Sequence, residues 1–137
     1  MFEVSVEESF AAGHALRGYR GKCENVHGHN YKVRVTLRGP QLGSIGLLFD
    51  FKDLKDAIMR TIRKLDHQFL NDVPPFDAIN PSAENMAKYF FDETRLLLAE
   101  RAPNGNPSAP CAVKEVTVWE TDNTTASYFA DESPEPE

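Results

Sequence analysis

The chain has 137 residues, 41% of them hydrophobic and 26% charged, a composition that excludes a disordered polymer and a length that leaves no room for a second ordinary domain. Fifteen Lys and Arg stand against 21 Asp and Glu, a net charge of −6, but four of the acids fall in the closing DESPEPE, so the body is nearly neutral and unsuited to coating nucleic acid or anionic lipid. With no run of about 18 apolar residues, no basic-then-apolar leader and only two cysteines, Cys23 and Cys111, the expectation is a cytoplasmic protein with neither a membrane nor a nucleic-acid partner.

The chain opens on a two-residue alternation. Phe2, Val4, Val6, Phe10 and Ala12 share one parity, and Glu3, Ser5, Glu7 and Ser9 the other, with Glu8 as the exception. That predicts a half-buried strand. After a loop holding Gly18 and Gly21, Tyr31, Val33, Val35 and Leu37 alternate with Lys32, Arg34, Thr36 and Arg38, a second strand that Gly39-Pro40 ends. Asp50 is placed to cap a helix with Leu54, Ile58, Ile62 and Leu65 on its apolar side. Asn80-Pro81-Ser82 opens a second helix, from about Ser82 to Glu100, with Met86, Phe90, Leu97 and Leu98 facing inward. A Pro-, Gly-, Asn- and Ser-rich stretch over 102–112 predicts an exposed loop. Val116 and Val118 then mark a third strand, Asp122-Asn123 a turn, and 124–129 a fourth strand. The order strand, strand, helix, helix, strand, strand implies an α+β domain over 1–130, a four-stranded antiparallel sheet with two helices on one face. Residues 131–137 are expected to form an acidic disordered tail. The open sheet edges favour oligomers.

The histidines concentrate the chemistry. His27 and His29 flank Gly28 and continue the inward parity of Tyr31 and Val33, while His14 continues that of Phe10 and Ala12. If the two strands pair, three imidazoles converge beyond the apolar layer. Three neutral histidines suit a zinc ion with its fourth position open. A single histidine on such a face is more often an ordinary polar residue; three on matched faces favour the metal. Cys23, four residues before His27, can be a fourth ligand, a small buried hydrophobe or a reactive thiol. Asp66-His67 at the end of the first helix is either an oriented imidazole or a helix-terminal charge pair. Glu120 sits where an apolar residue is expected, so its carboxylate needs a partner. A heterocycle presenting adjacent N–H groups would serve. Cys111 has no acid–base neighbour in sequence.

Six stretches carry a resemblance: SFAAGHAL (Ser9–Leu16), CENVHGHNY (Cys23–Tyr31), LLFDFKDLK (Leu47–Lys55), LDHQFLND (Leu65–Asp72), NPSAENMA (Asn80–Ala87) and VTVWETDN (Val116–Asn123). Together and in this order they resemble the superfamily of 6-pyruvoyl- and 6-carboxy-tetrahydropterin synthases. The resemblance implies a tunnelling fold in which sheets join in a trimeric barrel and two trimers stack as a homohexamer with active sites between subunits. It further implies Zn2+ on His14, His27 and His29, Cys23 as the base, His67 with Asp66 as its acid–base partner, and Glu120 as anchor of the pterin ring. Glu84 aligns with another pterin-contacting position. The Cys-x-x-x-His-Gly-His spacing is similar to the carboxy-tetrahydropterin branch that feeds queuosine and other deazapurines. The implied reaction is a lyase step turning 7,8-dihydroneopterin triphosphate into 6-carboxy-5,6,7,8-tetrahydropterin, acetaldehyde and triphosphate. The alternatives are a 6-pyruvoyl-tetrahydropterin synthase, which eliminates triphosphate, and a non-catalytic pterin- or metal-binding oligomer. Finally, Arg17, Arg20 and Lys22 in RGYRGK form a basic loop suited to gripping a triphosphate, or a solvated one.

Overall fold

The computed structural model describes residues 1–21, 25–100 and 107–131; Lys22, Cys23 and the tail from 132 onward lie outside the described residues. Two long strands, β1 (Phe2–His14) and β2 (His27–Gly39), are followed by helix α1 (Phe51–Leu65), a 3-10 turn at Leu70–Asp72 and helix α2 (Ala83–Glu100). Strands β3 (Ala112–Thr121) and β4 (Thr124–Phe129) close the domain. The sheet is antiparallel throughout in the order β1-β2-β3-β4. Both helices lie against one face, α1 across β1 and α2 across β3 and β4. This is the α+β arrangement that the sequence implies. No helix among the described residues is long and apolar enough to cross a membrane.

Alternation sets the buried face. On β2, Tyr31, Val33, Val35 and Leu37 are fully buried, and on β1 Phe10, Ala12 and His14 carry the same parity inward. Glu8, the break in the β1 pattern, does point inward; its carboxylate lies 3.7 Å from Lys55 Nζ on α1. Leu54, Ile58, Ile62 and Leu65 bury the apolar stripe of α1, whose first turn is capped by Asp50 accepting from the Lys52 N–H at 2.9 Å. Ser82 caps α2 by accepting from the Asn85 N–H at 3.1 Å. Phe10 joins the layers, stacked on Tyr31 at 5.2 Å and tilted against Phe90 at 5.8 Å.

One expectation is refined and one corrected. The buried stripe of α2 runs through Met86, Ala87, Phe90, Phe91 and Thr94; Leu97 and Leu98 continue the same face 11 residues after Met86 and Ala87 but are only half-buried near the helix end, with Leu98 packed against the core. The stretch over 102–112 is not an exposed loop throughout. Strand β3 begins at Ala112, and Ala109 is buried, its N–H donating to the Leu48 carbonyl at 3.1 Å. Gly39 permits this approach, since a Cβ there would stand 2.5 Å from the Pro110 carbonyl oxygen.

Candidate metal centre

The long register of β1 against β2 builds the site. It pairs Phe10 with Tyr31, Ala12 with His29 and His14 with His27, so the inward parity of both strands runs past the core and ends in three imidazoles. On the other side β3 pairs Val118 with Val33 and Trp119 with Lys32. Glu120 therefore follows on the inward parity, at a slip in the β3–β4 register between Trp119 and Thr121. Such irregularities re-aim a side chain at the end of a ladder.

Ligand atoms of His14, His27, His29 and Glu120 all lie within 4.8 Å of one another. His14 Nε2 is 3.0 Å from His27 Nε2. Glu120 Oε1 is 3.0 Å from His14 Nε2 and 3.3 Å from His29 Nε2. Carbonyl oxygens fix two of the tautomers: His14 Nδ1 meets the Pro81 carbonyl and His27 Nδ1 the Asn25 carbonyl, each at 2.7 Å. A carbonyl only accepts, so each Nδ1 carries the proton and each Nε2 turns a lone pair toward the other. Facing lone pairs repel unless a cation lies between them. His29 Nε2 is buried and makes no hydrogen bond, although Glu120 Oε1 is near enough in distance, so its aim is not that of an N–H donor. Burial holds the His29 pKa below the ordinary imidazole value, and neighbouring His14 and His27 add to this against the opposing charge of Glu120. Neutral imidazoles are what a metal requires. The donor set fits a divalent ion.

Tyr31 underlies the cluster, its ring centroid 5.8 Å from that of His14 and 5.6 Å from that of His29. Burial, then the charge of Glu120, push its pKa up, so the phenol stays protonated.

Asp66 and His67 lie at the outer edge of β1. The Ala11 N–H donates to Asp66 Oδ1 at 3.1 Å, and the His67 N–H donates to the Ala11 carbonyl at 2.6 Å. The His67 Nδ1 is 2.9 Å from Asp66 Oδ1. The Asp66 carboxyl is held below its usual range, first by the Ala11 N–H and then by His67. With its Nδ1 on the carboxylate, His67 directs Nε2 outward from a side chain that is 81% exposed. His29 and His67 line one cleft of about 580 Å³, walled by Val26 and Phe69, a volume in the range of small-molecule sites.

The remaining residues divide. Arg17 is engaged by the fold: its guanidinium donates to the carbonyls of Phe76 at 2.7 Å, Ile79 at 3.2 Å and Asn71 at 3.3 Å. Arg20 is exposed, and so is Glu84, which stands on the first turn of α2 outside the histidine cluster. The carbonyls of Pro81 and Asn25 and the pairing of 67–69 onto β1 were missed by sequence reasoning. Every residue has a carbonyl, so no residue-type signal marks those that matter.

Over residues 3–131 the chain matches the family described as 6-pyruvoyl tetrahydropterin synthase. A Drosophila melanogaster protein named 6-pyruvoyl tetrahydrobiopterin synthase is 36% identical, covering 88% of this chain and 75% of that one. One from Aquifex aeolicus named 6-carboxy-5,6,7,8-tetrahydropterin synthase is 29% identical over 93% of this chain and 97% of its own length. The solved Caenorhabditis elegans 6-pyruvoyl tetrahydropterin synthase superposes with a TM-score of 0.76 at 30% identity, covering 96% of this chain and 98% of that one. The match runs through both halves of the sheet and all four residues of the cluster, so the chain belongs to the 6-pyruvoyl tetrahydropterin synthase family of enzymes.

Proposed function

We propose that the chain is a zinc-dependent lyase that converts 7,8-dihydroneopterin triphosphate and one water to 6-carboxy-5,6,7,8-tetrahydropterin, acetaldehyde and triphosphate, in the cytoplasm and on the route to queuosine-type deazapurines. The carrying observation is the convergence of three imidazole nitrogens and one carboxylate at the end of β1, β2 and β3, beside a cleft that also holds His67. A zinc ion held by His14, His27 and His29 supplies Lewis-acid stabilisation of oxygen anions on the substrate side chain. Cys23, four residues before His27, takes a proton from that side chain. His67, oriented by Asp66 through Nδ1, returns one from Nε2. The Glu120 carboxylate receives the paired N–H groups of the pterin ring. Arg20 and Lys22 remain for the triphosphate, since Arg17 already serves three carbonyls, and Glu84 adds a contact from α2. Sites between subunits of a homohexamer bring the cleft and the phosphate loop of neighbouring chains together.

The second reading, a 6-pyruvoyl-tetrahydropterin synthase, is favoured by the Drosophila and Caenorhabditis relatives. Mass spectrometry of the products from 7,8-dihydroneopterin triphosphate separates the two. Acetaldehyde with the 6-carboxy product supports the lyase, and a 6-pyruvoyl product supports the second reading. Unchanged substrate with metal-loaded protein would remove both.

A further inference from the structure

Glu120 stands in two relations at once, and they compete. Its carboxylate is required at the ring-recognition position of the proposed function, on which this inference rests. In the chain as folded, however, Oε1 lies against His14 Nε2 at 3.0 Å and His29 Nε2 at 3.3 Å. A tetrahedral ion with bonds of about 2.0–2.2 Å spaces its donor atoms roughly 3.3–3.6 Å apart. The contacts of Glu120 with His14 and His29, and that between His14 and His27, fall on or just inside that edge length, and all four donors lie within 4.8 Å. Glu120 Oε1 thus occupies a corner of a four-donor shell. Three neutral imidazoles leave a divalent ion with its full charge in a half-buried site, and a carboxylate offsets half of it. The slip in the β3–β4 ladder between Trp119 and Thr121 leaves the Glu120 backbone outside strict register.

We propose that Glu120 is a displaceable fourth metal ligand: without pterin its carboxylate closes the ion's open position, and the N–H edge of the pterin ring draws it away, opening that position for the substrate. Ring recognition and access to the metal are then one event. Water is kept from the ion until a pterin arrives, and a ligand without the ring edge leaves the position closed.

Cobalt(II) reports the shell directly, because its visible absorption changes with the number and kind of ligands. In the cobalt-loaded protein, saturating unsubstituted pterin, which has a ring but no side chain to reach the ion, should shift the absorption band. Glu120→Gln and Glu120→Ala should raise the zinc dissociation constant, measured by competition with a chromogenic chelator, by tenfold or more, and their cobalt bands should not respond to pterin. A band in the parent protein that stays unmoved while pterin binds overturns the proposal, and that arm needs no variant to fold. Zinc affinity within twofold of the parent in both variants also overturns it, leaving Glu120 a ring anchor and the lyase reading intact. If pterin does not bind the parent at all, the lyase reading and this inference fall together.

Discussion

His67 has a backbone φ of +58°, in the left-handed region where a Cβ crowds the following carbonyl. It sits just past the end of α1, where glycine is the usual occupant, yet its amide holds the Ala11 carbonyl and its ring holds Asp66. The backbone conformation is therefore kept by its neighbours, and the imidazole is presented in one direction at a cost. Comparing His67→Gly with His67→Ala isolates that cost, since both lose the ring and only glycine loses the crowding. Urea denaturation should find the glycine variant more stable by about 1 kcal/mol, the reverse of their order inside a helix. Equal stabilities would mean that the backbone is unstrained. The sequence names Asp66-His67 as a pair, but not this conformation, which depends on a strand more than 50 residues earlier in the chain.

Helix α2 reaches the metal centre through its first turn. Ser82 caps the helix, and Pro81, immediately before it, offers the carbonyl that fixes His14 as a donor at Nδ1. Removing the cap loosens that turn and with it the orientation of the imidazole. Ser82→Ala should cost about 1 kcal/mol in unfolding and also weaken zinc binding several-fold. Asp50→Ala, which uncaps α1, should cost a similar amount and leave zinc affinity unchanged. Chelator competition on both variants checks this, and equal zinc affinities would separate α2 from the metal. Both caps are legible in the sequence because Asp and Ser in those positions can act locally. The carbonyl link to His14 is not, because it joins positions 67 residues apart.

At the scale of the molecule, the face of the sheet opposite the helices is a lattice of charges. Lys114 Nζ meets Glu3 at 2.6 Å, Lys32 and Arg34 approach Glu7 at 3.8 and 3.9 Å, and Lys32 lies 4.1 Å over the Trp119 ring. With β4 forming an edge of the sheet, the proposed barrel would turn this face inward and satisfy that edge. Light scattering should give a mass near six times the 15.4 kDa chain at micromolar concentration; a monomer would dismiss the barrel. The sequence by itself determined the element types, the inward faces of β1 and β2, the caps and the three histidines, because strand parity and capping act over a few residues. Only the tertiary structure decided that Glu120 joins the histidines, that Arg17 is held by three carbonyls, and that 67–69 pair with β1. Those facts follow from strand register and loop closure across 50 residues or more, and no local pattern encodes the distance between two atoms so far apart along the chain.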